Sequence, residues 1–267
     1  MDAGGIIESI AISQDGKWIV SGTWTCGQVT VWDAESHEKV NEFKGHEGVV
    51  YAVDISPDAT RIATGSGDKT ACVWSLSTGE RLLSPFEHER EVAAVKFSPD
   101  GRLIATAAWD RASVRLYDSR DGHCLVTLPI RVSSTNNQSL AWVGDSKRLF
   151  VLSGDGNIYC LDVSTGQTLS KWAFHGNHNL GCISLAKNGA FVAASAGSTV
   201  SFWDTTTHKQ IGSVIHHPAR VSSMAISANY DLVIGGQKTI TLWNLQDALS
   251  SPYSDNVSVV SPDTQRQ

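Results

Sequence analysis

Two His–Asp pairs stand out among the residues able to do chemistry. His46 and Asp68 are 22 residues apart, as are His88 and Asp110, and each interval encloses a threonine, Thr64 and Thr106. Thr, His and Asp are the residue types of a nucleophilic triad. The set occurs twice, however, where an enzyme needs one site, so no catalytic residue is assigned. His175-x-x-His178 and His216-His217 have spacings that invite a metal, but no cysteine or acid adjoins them and no zinc site or cofactor is expected. Five cysteines are dispersed without a C-x-x-C pair, which fits a reducing compartment better than a disulfide framework. One further residue raises a question of recognition. Trp109, in "AAWDRASVRLYDSR", stands directly before Asp110 where a tight turn is due.

The chain that must position these residues has 267 residues, 41% of them hydrophobic and 18% charged, enough apolar content for a sizeable core. Its formal net charge of -6 argues against a general nucleic-acid surface. The N-terminus has an early acid and no basic region, unlike a signal peptide, and no apolar run approaches a membrane span. The expectation is a cytoplasmic chain, with the nucleus open as well, and no membrane partner.

The organisation is repetitive. Trp32-Asp33, Trp74-Ser75, Tyr117-Asp118, Leu161-Asp162, Trp203-Asp204 and Trp243-Asn244 follow one another at intervals of 42, 43, 44, 42 and 40 residues. Turn signals such as "SPDG" and "STGE" flank each pair. In the third unit "VAAVKF", "LIATA", "SVRLY" and "CLVTL" are short β-rich runs separated by turn residues. Each unit therefore reads as a four-stranded antiparallel meander. Such a sheet has two apolar faces, and radial stacking buries each against a neighbour.

With "GH" at Gly45-His46, "SPDG" at 98–101 and Trp-Asp pairs at this period, the sequence resembles the WD40-repeat β-propeller family over about residues 5–250. The resemblance implies an all-β propeller of six four-stranded blades, at about 5–45, 46–87, 88–130, 131–174, 175–215 and 216–249. A flexible tail is expected over 250–267, with "VSVV" at 257–260 as a candidate outer strand. Nothing precedes the first strand to complete the last blade, so the expected ring closes without strand exchange, remains partly open, or is a fragment of a larger one. The resemblance also gives the His–Asp sets a structural role. It implies a buried hydrogen-bond chain of His46, Thr64, Asp68 and Trp74 in the second repeat, and of His88, Thr106, Asp110 and Tyr117 in the third.

Turns after strands two and four share the upper face of such a ring. The family's partner-contacting position before the turn Asp falls on Trp109, and on Trp24 by alignment of "SGTWTCGQVTVWD". Positions counted from the His add Val49, Tyr51, Glu91 and Arg220, and by count Asn136 and Gln138. The expected function is a non-catalytic scaffold that binds a peptide or protein segment there. The alternative is a substrate receptor of a cullin-type ubiquitin ligase, since Tyr117-Asp118-Ser119-Arg120 is similar to a "WDxR" docking motif. Weaker readings are an enzyme or cofactor binder, and a decaying copy with no dedicated partner.

Overall fold

A computed structural model describes residues 5–24, 27–110, 114–132, 138–173, 181–186, 188–227, 231–236 and 239–245. Among the described residues every element is a strand, and the strands form six antiparallel meanders arranged as the blades of a propeller. Five blades have four strands. The sixth shows three, Ser223–Ile226, Asp231–Gly236 and Thr239–Asn244; its expected outer strand at 257–260 lies outside the described residues.

The repeated pair marks the end of a strand. The third strands end at Asp33, Ser75, Asp118, Asp162, Asp204 and Asn244, the second member of each pair. The physical reason is the turn that follows. Asp33 Oδ1 accepts the amides of Glu35 and Ser36 at 3.0 and 2.7 Å, and Asp162 and Asp204 repeat the arrangement. An Asx turn of this kind offers the backbone an alternative to the ladder. The preceding residue, aromatic in five blades and Leu161 in the fourth, is buried every time. The turns after strand one use Ser and Asp instead. Ser98 Oγ donates to Asp100 and accepts the Leu103 amide, and Gly101 takes a φ of 72°. Ala59 holds the same left-handed place at 54° in the second blade, a conformation that costs a residue with a Cβ about 1–2 kcal/mol.

The core lies between blades. Five apolar clusters fill the seams 1/2, 2/3, 3/4, 4/5 and 5/6, with Phe150 and Phe202 among the fully buried side chains. Hydrogen bonds near the axis follow the same path. Val53 donates to Ser9 Oγ, Lys96 and the Phe97 amide reach Asp54, Trp142 Nε1 donates to the Lys96 carbonyl, and the Ile183 amide reaches Gln138. Cys182 completes the path to Ser222. At the seam of blades 6 and 1 the described residues show no such cluster. Ile10 and Ile12 on one side are 57% and 63% exposed, and Ile240 and Leu242 on the other are 71% and 61% exposed. Each pair alternates along its strand, so each lies on one sheet face.

The hydrogen-bond chain is complete in blade 2. Trp74 Nε1 donates to Thr64 Oγ1 at 2.8 Å, and Thr64 lies 2.6 Å from His46 Nε2. His46 Nδ1 lies 2.8 Å from Asp68 Oδ2, which fixes the proton on Nδ1 and leaves Nε2 to accept. Blade 3 departs from it. His88 Nε2 is 3.1 Å from Thr106 and 3.5 Å from the Tyr117 hydroxyl, but Nδ1 stands 3.8 Å from Asp110. Arg115 approaches Asp110 instead, at 3.9 Å. Burial and Arg115 push the imidazole pKa of His88 down to about 3, so it is neutral at physiological pH.

Two outcomes are expected. Burial raises the Asp68 carboxyl, but hydrogen bonds from His46, Thr70 and the Glu47 amide outweigh it and hold the carboxyl well below its ordinary range. A depressed folded value stabilises the protein above the unfolded pKa and is lost as pH falls. Asp68→Ala should therefore cost about 1–3 kcal/mol at neutral pH. The gap to wild type should narrow below about pH 4; urea titrations across that range measure it, and an unchanged midpoint at neutral pH contradicts the network. Amide exchange should be slowest in blades 2 to 4 and faster in Thr239–Asn244, where Ile240 and Leu242 are exposed and no apolar cluster covers them among the described residues. Equal protection of blades 3 and 6 would show that the sixth seam is packed.

Candidate functional site

One backbone bond recurs at the upper ends of blades 1, 2 and 3. The residue following strand two donates its amide to the residue just before strand one: Trp24 to Ile6 at 2.8 Å, Gly67 to Val49 at 2.8 Å, and Trp109 to Glu91 at 3.0 Å. Trp24, Gly67 and Trp109 are therefore equivalent positions on one rim. The side chains differ while the backbone does not.

A second irregularity sits beside each bond. The first-strand ladders skip a residue, between Ile7 and Ser9 in blade 1, Val50 and Ala52 in blade 2, and Val92 and Ala94 in blade 3. The bulged residues are Glu8, Tyr51 and Ala93. A bulge leaves one residue unpaired and re-aims its side chain. Tyr51 then lies between the two indoles. Its ring centroid is 6.1 Å from Trp24, edge to face, and 5.2 Å from Trp109, tilted. Gly67 is small where Tyr51 passes; a Cβ there would stand 3.3 Å from the phenol ring. Trp24 is 48% exposed, whereas Tyr51 and Trp109 are half-buried.

Charge surrounds this trio. The Tyr51 phenol is raised first by burial, then by the Glu91 and Glu8 carboxylates. Glu91 pairs with exposed Arg90 at 3.3 Å and also feels Lys69. The Glu8 carboxyl is raised by burial. Glu8 also lines a cavity of about 420 Å³ around the axis with Ile10, Lys96, Gln138, Ser222 and Ser223. On its far side Trp109 lines a crevice of about 620 Å³ between blades 3 and 4, with Ile130, Arg131, Asp155 and Tyr159. Such a face can bind; among the described residues no group of His, Cys, Asp and Glu is arranged to hold a metal.

Val49 contributes its carbonyl to the Gly67 bond. Arg220 is exposed just before the first strand of blade 6. Gln138 is committed within the protein: its Nε2 donates to Ser223 Oγ at 2.8 Å and its Oε1 accepts the Met224 amide at 2.8 Å. Asn136, His175 and His178 lie outside the described residues. Arg120, the docking candidate, is bonded to its own turn, with Nε and Nη2 at 3.0 and 2.7 Å from the Asp118 carboxylate. Glu8 was missed because the first repeat has no His from which to count. A signal was present: Glu8, Tyr51 and Ala93 each precede the Ser or Thr at 21, 64 and 106 by 13 residues.

Residues 6–265 match the family described as the IFT122 first beta-propeller. The chain is 21% identical over 96% of its length to a periodic tryptophan protein 2 homolog of Caenorhabditis elegans, of which it covers 25%. It is 27% identical over 90% of its length to autophagy-related protein 16 of Arabidopsis thaliana, of which it covers 40%. Over 24% of its length it is 41% identical to actin-interacting protein 1 of Drosophila melanogaster, of which it covers 11%. The chain thus spans well under half of these relatives, and no helix among its described residues is long and apolar enough to cross a membrane. Repeat spacing, six radial sheets and the match over most of its length agree that the chain belongs to the IFT122 first beta-propeller family of WD40-repeat β-propellers.

Proposed function

We propose that this propeller is a non-catalytic scaffold that binds a peptide or protein segment on its upper face, across blades 1 to 3. The family's relatives support an interaction role in general. The observation that carries the finer reading is the trio of Trp24, Tyr51 and Trp109, joined across two blade seams and partly open to solvent. Aromatic side chains bring large contact area at low entropic cost and dominate interface hot spots. A core role explains Trp32, Trp74, Trp203 and Trp243, which are buried, but not an indole as open as Trp24.

The test is affinity capture from source extract with wild type and with Trp24→Ala/Trp109→Ala. The double variant should lose at least one specific partner while keeping its melting temperature. Titration of that partner should show each single change weakening binding by about 1 kcal/mol or more. Identical capture by both proteins would remove the upper face from consideration.

A further inference from the structure

The trio is not purely apolar in its surroundings, and the imbalance has a direction. Glu8 and Tyr51 occupy the same bulged position in neighbouring blades, so both side chains are re-aimed at the upper end of the inner strands. Glu91 enters the same place from blade 3, its carbonyl holding the amide of Trp109. Glu91 has Arg90 beside it and Lys69 nearby, a surface pairing that contributes little and is easily exchanged. Glu8 has no ion-pair partner among the described residues, although it is partly buried. Ring faces attract cations through their quadrupoles, most strongly for Trp, and carboxylates at the edge add to that attraction. Lys96, which lines the same axial cavity as Glu8, is paired with Asp54 at 2.9 Å, so a cationic occupant is the one that compensates Glu8.

We propose that the partly open trio of Trp24, Tyr51 and Trp109, with Glu8 and Glu91 beside it, takes a cationic side chain, a lysine or arginine carried by an extended peptide segment. This rests on the upper face being the interaction surface. The charged head lies against the rings and the carboxylates, its methylene stem covers the open edge of Trp24, and the flanking residues run toward the crevice beside Trp109. The chain's net charge of -6 favours approach of such a segment at a distance.

The experiment is selection of a random 12-residue displayed peptide library on the full chain, with counter-selection on Trp24→Ala/Trp109→Ala. Recovered peptides are then synthesised and titrated. The expected result is a Lys or Arg at one fixed position, whose change to Gln weakens binding by about tenfold or more. Glu8→Gln should weaken the same peptides severalfold with its melting temperature unchanged. Wild-type binding should fall as salt is raised, and that fall should be smaller for Glu8→Gln. Tryptophan-dependent peptides without a required cation, or peptides indifferent to Glu8→Gln, would overturn the cationic assignment and leave the interaction face standing. A library that yields no tryptophan-dependent binder counts against both.

Discussion

A four-stranded sheet whose strands are apolar on both faces cannot exist alone in water. Along the third strand of blade 2, Ala71, Cys72, Val73 and Trp74 are all buried, although alternate residues point to opposite faces. Burying a Val or Leu side chain contributes about 1.5–3 kcal/mol, and each blade has several on each side. The need to cover both faces fixes the radial arrangement and forces the inner strands around a common axis. It also fixes where variation is tolerated. Residues on the faces answer to a neighbouring blade, while those at the ends of strands answer only to their own turn.

The upper rim shows what that freedom permits. One amide-to-carbonyl bond is kept at Trp24, Gly67 and Trp109, so the side chain can pass from hydrogen to indole with no change in the backbone bond. One bulge is kept in three first strands, and it presents a carboxylate, a phenol and a methyl group in turn. Chemistry at the rim thus comes from combining different blades. Tyr51 meets both indoles because it is flanked by two blades bearing Trp and itself sits beside a glycine.

Much of this was legible in the sequence because it is periodic. Six repeats, their strand order and the ends of the third strands follow from pairs such as Trp203-Asp204, whose Asp caps a turn that the backbone needs each time. Trp109 and Tyr51 were found by position within the repeat. What escaped has no such signature. Glu8 is in a bulge, and a bulge is a mismatch between two strands rather than a residue type. Gln138 looks like any exposed amide, yet its two bonds reach blade 6, 85 and 86 residues along the chain. The uncovered faces of Ile10 and Ile240 alternate like covered ones; only the absence of an apolar cluster between blades 6 and 1 among the described residues sets them apart.

The weakened hydrogen-bond chain of blade 3 belongs to the same logic. The turn that carries Trp109 is one residue longer than its counterpart in blade 2, as is the turn that carries Trp24. In the shorter turn Asp68 reaches His46 at 2.8 Å; in the longer one Asp110 stands 3.8 Å from His88, and in blade 1 the position is Thr25. In blades 2 and 3 the tight His–Asp bond and the rim tryptophan thus do not occur together. Burial disfavours the charged form of an imidazole without a close carboxylate, and with Arg115 nearby it lowers the His88 pKa. Blade 2 retains the full chain between the two altered blades, and it is the blade that holds Tyr51. The complete network and the central ring of the trio thus belong to the same blade, while the longer turn of blade 3 carries an indole and a looser His–Asp pair.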